Sequence, residues 1–144
     1  MARDDAPSIK LLDRKAISLA LAKEMVAAAE AEAARNSWNV VIAVVDEGGH
    51  LILLHRMDDT QSASVEVAQR KARTSAMFRR PTKMLEDAVK NGRTAVLNLA
   101  QDITPVQGAL PVVSGGRVIG AVGVSGVNSD QDEQVAKAAV DLVK

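Results

Sequence analysis

The sequence predicts an α+β fold: an antiparallel sheet built from two hairpins and flanked by helices. Three observations predict it. Two pairs of apolar runs are each joined by a glycine turn, Asn39–Asp46 with His50–Met57 across Glu47-Gly-Gly49, and Gln107–Val113 with Arg117–Ser125 across Ser114-Gly-Gly116. Alanine-rich stretches at helical spacing lie before, between and after these pairs. The resulting order (helix, hairpin, helices, hairpin, helix) contains no strand–helix–parallel strand unit, which excludes a βαβ crossover fold.

The first helix is expected over Leu12 to about Arg35. Its alanine-rich body has high helix propensity, and Asp13 is the expected N-cap or first-turn acid. The run 39–46 is almost wholly apolar, as in a strand buried on both faces. In the turn after it, Gly48-Gly49 permits positive φ. Strict alternation in the returning strand puts His50, Ile52, Leu54 and Arg56 on one face, and Leu51, Leu53, His55 and Met57 on the other. A second helix spans Ser62–Phe78 with a small-residue face of Val65, Ala68, Ala72, Ser75 and Ala76, and Pro81 is expected to end it. A short helix follows over Lys83–Lys90, closed by Asn91-Gly92. Residues 93–103 read as a loop with one further helical turn. The last helix starts at a cap within Asn128-Ser-Asp130 and runs to about Leu142, with acids in its first turn.

The 144 residues suit one domain over 1–144, with residues 1–10 as a flexible tail. Eighteen basic residues balance eighteen acidic ones, so the footprint of a nucleic-acid binder is missing. Cysteine is absent, which excludes disulfides and thiolate metal sites and fits a cytoplasmic protein. No apolar run reaches membrane-spanning length, and the first residues carry no apolar leader core. One Trp and one Phe leave few rings for stacking on bases.

Gly120, Gly123 and Gly126 crowd into one strand, where glycine has no side chain to pack. They point to a backbone approached closely by a helix, a ligand or another subunit. Ser125 lies in Gly123-Val-Ser-Gly-Val, which lacks the second glycine of a nucleophile elbow, and no histidine follows it. Serine hydrolase chemistry is therefore excluded. Ser114-Gly-Gly116 precedes a strand and not a helix N-terminus, which excludes a phosphate loop.

Four segments together resemble the GlcG/HbpS-like family, which includes the C-terminal domain of a corrinoid adenosyltransferase. They are Val44-Val-Asp-Glu-Gly-Gly-His-Leu51 with Arg56-Met-Asp58; Ala68-Gln-Arg-Lys-Ala-Arg-Thr-Ser-Ala76 with Phe78 and Arg80-Pro-Thr82; Gln107-Gly-Ala-Leu-Pro-Val with Gly116–Gly126; and Asp132-Glu-Gln-Val-Ala136. The resemblance implies a profilin-like fold, self-assembly into a homo-oligomer, and haem or a related tetrapyrrole as a ligand or cofactor. The chain departs from the family pattern at Asp59, Ala109 and Val140, where glycine is usual.

His50 and His55 are the only histidines and lie on opposite strand faces, so one subunit cannot chelate one metal with both. His50 is either a turn-adjacent exposed histidine or an axial ligand to haem iron, and it is the better candidate metal ligand because it follows the turn. His55 reads as a packed histidine. Glu66 and Arg70 are spaced for an i,i+4 pair. Lys71 falls in the stretch matching the family's Lys-Ala-x-Thr segment and is a candidate to hold a ligand carboxylate, with Thr74 as a donor beside it. Arg56 is a candidate clamp for Asp58 or Asp132, or a ligand contact. Gln107 and Gly108 complete the candidate cofactor-binding set. Asp132 and Glu133 are adequately explained by helix capping.

The reading these residues favour is a small-ligand-binding protein for haem or a related tetrapyrrole, its pocket near a subunit interface. A second reading is a lyase or isomerase acting on a carboxylate-bearing metabolite through Lys71, Glu66 and Arg56. A third is an assembly subunit whose small-residue faces serve packing.

Overall fold

A computed structural model describes residues 9–144. The expected tail falls largely outside the described residues. The elements are α1 (Leu19–Arg35), β1 (Val41–Asp46), β2 (Leu51–Arg56), α2 (Ala63–Phe78), α3 (Thr82–Lys90), a 3-10 turn (Thr94–Asn98), β3 (Ala109–Ser114), β4 (Arg117–Ser125) and α4 (Ser129–Val140). All strand pairings are antiparallel, in the order β2-β1-β4-β3. The two hairpins therefore meet along β1 and β4, and the α+β fold is as the sequence predicts.

The sheet separates two apolar layers. On one face Met25, Val26, Ala29 and Ala33 of α1 and Val135, Ala136 and Ala139 of α4 pack on Ile42, Val44, Val122 and Val124. On the other, Ala68, Ala72 and Ala76 of α2 pack on Val41, Ala43, Val45 and Ala121. Consecutive residues of β1 alternate between these layers, which is why the whole strand is apolar. Each fully buried valine contributes about 1.5–3 kcal/mol relative to exposure.

Gly123 explains the approach of α2. A Cβ there would collide with the Ala68 carbonyl oxygen and the Ala72 amide nitrogen, so strand and helix backbones nearly touch. Of the three partners expected for the glycine strand, a helix is the one found at this position.

Several local expectations are corrected. The first helix starts at Leu19 and not near Leu12; Ser18, not Asp13, is its cap, its hydroxyl accepting the Leu21 amide hydrogen at 3.0 Å. Propensity favoured extending the helix to Leu12, but Leu11 and Leu12 are exposed and have no buried face to hold them. Strict alternation along β2 also fails. A bulge between Val44 and Val45 pairs Leu53 with Val44 but Leu51 with Val45, so Ile52 and Leu53 both join the α1 layer. Pro81 does not end α2: Arg79, left-handed at φ 55°, does so two residues earlier, and Pro81 opens α3. Asn128 and Gln131 close the expected cap of α4 as a reciprocal capping box. Asp59 has φ 63°, which accounts for glycine being usual there.

Candidate functional site

His50 follows the β1–β2 turn and is 83% exposed at its side chain. Asp46 builds this turn: its Oδ1 accepts the Gly48 and His50 amide hydrogens at 2.9 and 3.0 Å. The same oxygen lies 3.4 Å from His50 Nδ1. At that distance Asp46 is an electrostatic neighbour of the imidazole and not a hydrogen-bond partner. His50 lines a groove of about 340 Å³ together with Arg14, Lys15, Ala16 and Ile119. A second groove of about 450 Å³, lined by Arg79, Arg117 and Val118, shares Arg14 and Glu47 with it. Arg14 is held at 3.1 Å by Glu47. One imidazole, apolar side chains and several cations thus face one concave surface.

That donor chemistry fits haem. The porphyrin supplies four iron ligands and asks the protein for an imidazole, apolar contact and cations for its propionates. Among the described residues no three histidine, aspartate or glutamate side chains gather as a metal-holding cluster.

Four other candidates converge elsewhere, beside the start of β3. Lys71 is 2% exposed. Its Nζ donates to Asp132 Oδ2 at 3.0 Å and to the Val124 carbonyl at 3.1 Å. Asp132 Oδ1 accepts the Val127 amide hydrogen at 3.1 Å. Burial pushes the Asp132 carboxyl above the ordinary aspartate range, while the Lys71 ammonium and the Val127 N–H pull it down. The two influences oppose each other; the upward direction stands because both side chains are almost fully withdrawn from water.

Gly108 closes over this pair at φ 140°, with Lys71 Nζ 2.6 Å from where a Cβ would stand. Gln107 donates from Nε2 to Glu133 at 3.2 Å and from its amide nitrogen to Glu86 at 3.3 Å. Thr74 Oγ1 donates to the Arg70 carbonyl at 2.8 Å and accepts the Thr104 amide hydrogen at 3.0 Å. Ala109, one of the family departures, is fully buried with its amide on Thr82 Oγ1.

Lys71 thus holds a carboxylate, but the protein's own. Capping alone therefore does not account for Asp132, which is a buried ion-pair partner. Arg56 does not clamp Asp58 or Asp132; it donates to the Thr60 carbonyl at 3.0 Å, and Asp132 is already engaged by Lys71. His55 is half exposed and held at 2.5 Å by Glu30 of α1.

Glu66 lies in a third place. It pairs with Arg70 at 2.8 Å, as i,i+4 spacing predicts, and lines a cleft of about 420 Å³ with Arg70, Arg73 and Asp102. Sequence reasoning missed Asp102 and the groove residues Arg14, Lys15 and Arg117. The adjacent cations Arg14-Lys15 ahead of α1 were a usable signal; Asp102 carried none, since its partners Arg70 and Arg73 lie on α2, with α3 and the 3-10 turn between them and it.

A family model described as haem degrading protein HbpS-like matches residues 17–141. The chain belongs to the HbpS-like family. Among relatives, protein GlcG of Escherichia coli K12 is 50% identical over 109 residues, 76% of this chain and 81% of GlcG. Among solved structures, Klebsiella pneumoniae protein ORFY is 34% identical with a TM-score of 0.86, covering 94% of this chain and 96% of that one. A PduOC:heme complex is 27% identical with a TM-score of 0.83, covering 90% of this chain and 96% of that one. Membership in this family agrees with the resemblance read from the motifs. Among the described residues no helix is long and apolar enough to cross a membrane.

Proposed function

We propose that this chain binds haem in the groove at His50, with the His50 imidazole as a ligand to the iron. The observation that carries the reading is the placement of His50: exposed, backed at Nδ1 by Asp46, and beside Arg14, Lys15 and Ile119. Support also comes from the family and from the haem bound to the related PduOC. His55 fits the role less well, because Glu30 holds it against α1.

In this reading Asp46 orients the imidazole, Lys15 meets one propionate and Arg14, whose half-exposed pairing with Glu47 is weak, exchanges that partner for the other, and Ile119 and Ala16 face the porphyrin edge. Bound haem would supply a redox-active iron, which the His50 imidazole would hold. The groove leaves His50 largely exposed, so a second copy of the chain would be needed to exclude water from the iron. In this reading the pocket lies near a subunit interface.

The lyase or isomerase reading has less support. Lys71, Glu66 and Arg56 each have other partners, Asp132, Arg70 and the Thr60 carbonyl.

Native mass spectrometry after addition of haemin tests the proposal. The expected result is a mass gain of one haem per chain on an oligomer. Retention of no haem under conditions that preserve the assembly would reject it.

A further inference from the structure

The cleft that contains Glu66 lies on the other side of the β1–β2 turn from His50, with the Gly49 backbone pressed against the Arg73 side chain. Its floor is apolar, from Val45 and Leu51, and its polar side carries Arg70 and Arg73. Asp102 sits over the two guanidinium groups. Its Oδ1 is 3.9 Å from Arg70 Nη1 and its Oδ2 is 3.7 Å from Arg73 Nη1. Two cations thus address opposite oxygens of one carboxylate, yet neither distance is a direct hydrogen bond.

The remaining donors are differently engaged. Arg70 gives Nε and Nη2 to Glu66 Oε1 at 3.1 and 2.8 Å. Arg73 gives only Nε, to Met77 Sδ at 3.3 Å, so its terminal nitrogens make no hydrogen bond among the described residues. The loop carrying Asp102 is tied to α2 through the Thr104 amide on Thr74 Oγ1. Asp102 itself adopts φ 58°.

From this arrangement we infer that the cleft is a binding site for a small organic monocarboxylate with an apolar body, and that Asp102 is its internal stand-in. An incoming carboxylate takes the Arg73 fork in bidentate geometry, its body lies on the half-exposed Leu51, and Asp102 swings out. A dianion fits less well, because Glu66 already neutralises much of Arg70. The exposed setting makes the Asp102 contacts weak, so displacement is easy. The intramolecular competitor lowers apparent affinity by the fraction of chains in which it occupies the arginines.

The test is calorimetric titration of the full chain with isobutyrate, with neutral isobutyramide as control. Variants are Asp102→Asn and Arg73→Gln, both at exposed side chains, each checked by thermal melting. Isobutyrate should bind the wild type, about two- to five-fold tighter to Asp102→Asn, and about tenfold or more weakly to Arg73→Gln. Equal binding of isobutyramide would overturn the proposal, as would unchanged affinity in Arg73→Gln or no tightening in Asp102→Asn. Haem carboxylates are the other source of this chemistry. No isobutyrate binding, with haemin affinity lowered by Arg73→Gln, would also overturn the proposal and give the cleft to a propionate.

Discussion

Lys71 Nζ and Asp132 Oδ2 stand 3.0 Å apart across 61 residues of sequence, both side chains 3% exposed. They join α2 to α4 beside the C-terminal end of β4. Among the described residues every other ion pair has at least one partner well exposed to water.

Removing one partner leaves an uncompensated buried charge. Lys71→Met and Asp132→Leu should each destabilise the fold by about 3–5 kcal/mol, and the double variant by much less than the sum. Urea denaturation of the four proteins measures the coupling. Additive losses would show that the pair does not act as a unit.

The pH dependence of Lys71→Met follows from the same geometry. Asp132 titrates above its ordinary value because of burial. An acid whose folded-state value is raised favours folding below its unfolded value and loses that contribution as pH rises through the folded value. Without Lys71 the main opposing influence is gone and the carboxyl titrates higher still. The melting deficit of Lys71→Met relative to wild type should therefore shrink as pH is lowered from neutral toward the ordinary aspartate range. A deficit constant across that range would exclude a buried Asp132 charge as its cause.

Gly123→Ala should be among the most damaging single-methyl additions. Its Cβ would strike the Ala68 carbonyl and the Ala72 amide, which are backbone and cannot rotate away. Overpacking of this kind costs about 1–3 kcal/mol or more. Thermal melting measures it, and an unchanged melting temperature would mean that α2 moves freely over β4.

Thr74 is read as the tether of the 101–105 loop. In Thr74→Val the Thr104 amide loses its acceptor, at about 1 kcal/mol, and its hydrogen exchange should accelerate. Thr74→Ser should restore protection. Equal exchange in both variants would leave the loop held by other contacts.

The fold was legible because its signals are local. Apolar runs around glycine turns fixed both hairpins, and Arg117–Ser125 was read to the residue. Local signals also misled. The alanine-rich stretch extended α1 past Ser18, and alternation through β2 could not register the bulge at Ile52. The candidate site was legible only in part. His50 was found because histidine is rare in this chain. The partner of Lys71 was not, because it arrives from another helix, and capping already gave Asp132 a sufficient local explanation. Asp102 reaches Arg70 and Arg73 only through tertiary folding of the loop beyond α3.

Haemin titration followed by Soret absorption reads out ligation of haem by His50. Wild type and His55→Ala should both give a shifted Soret band, while His50→Ala should lose the shift or bind about tenfold or more weakly. A wild type that leaves free haemin unchanged, or a His50→Ala variant with the wild-type spectrum and affinity, would contradict it.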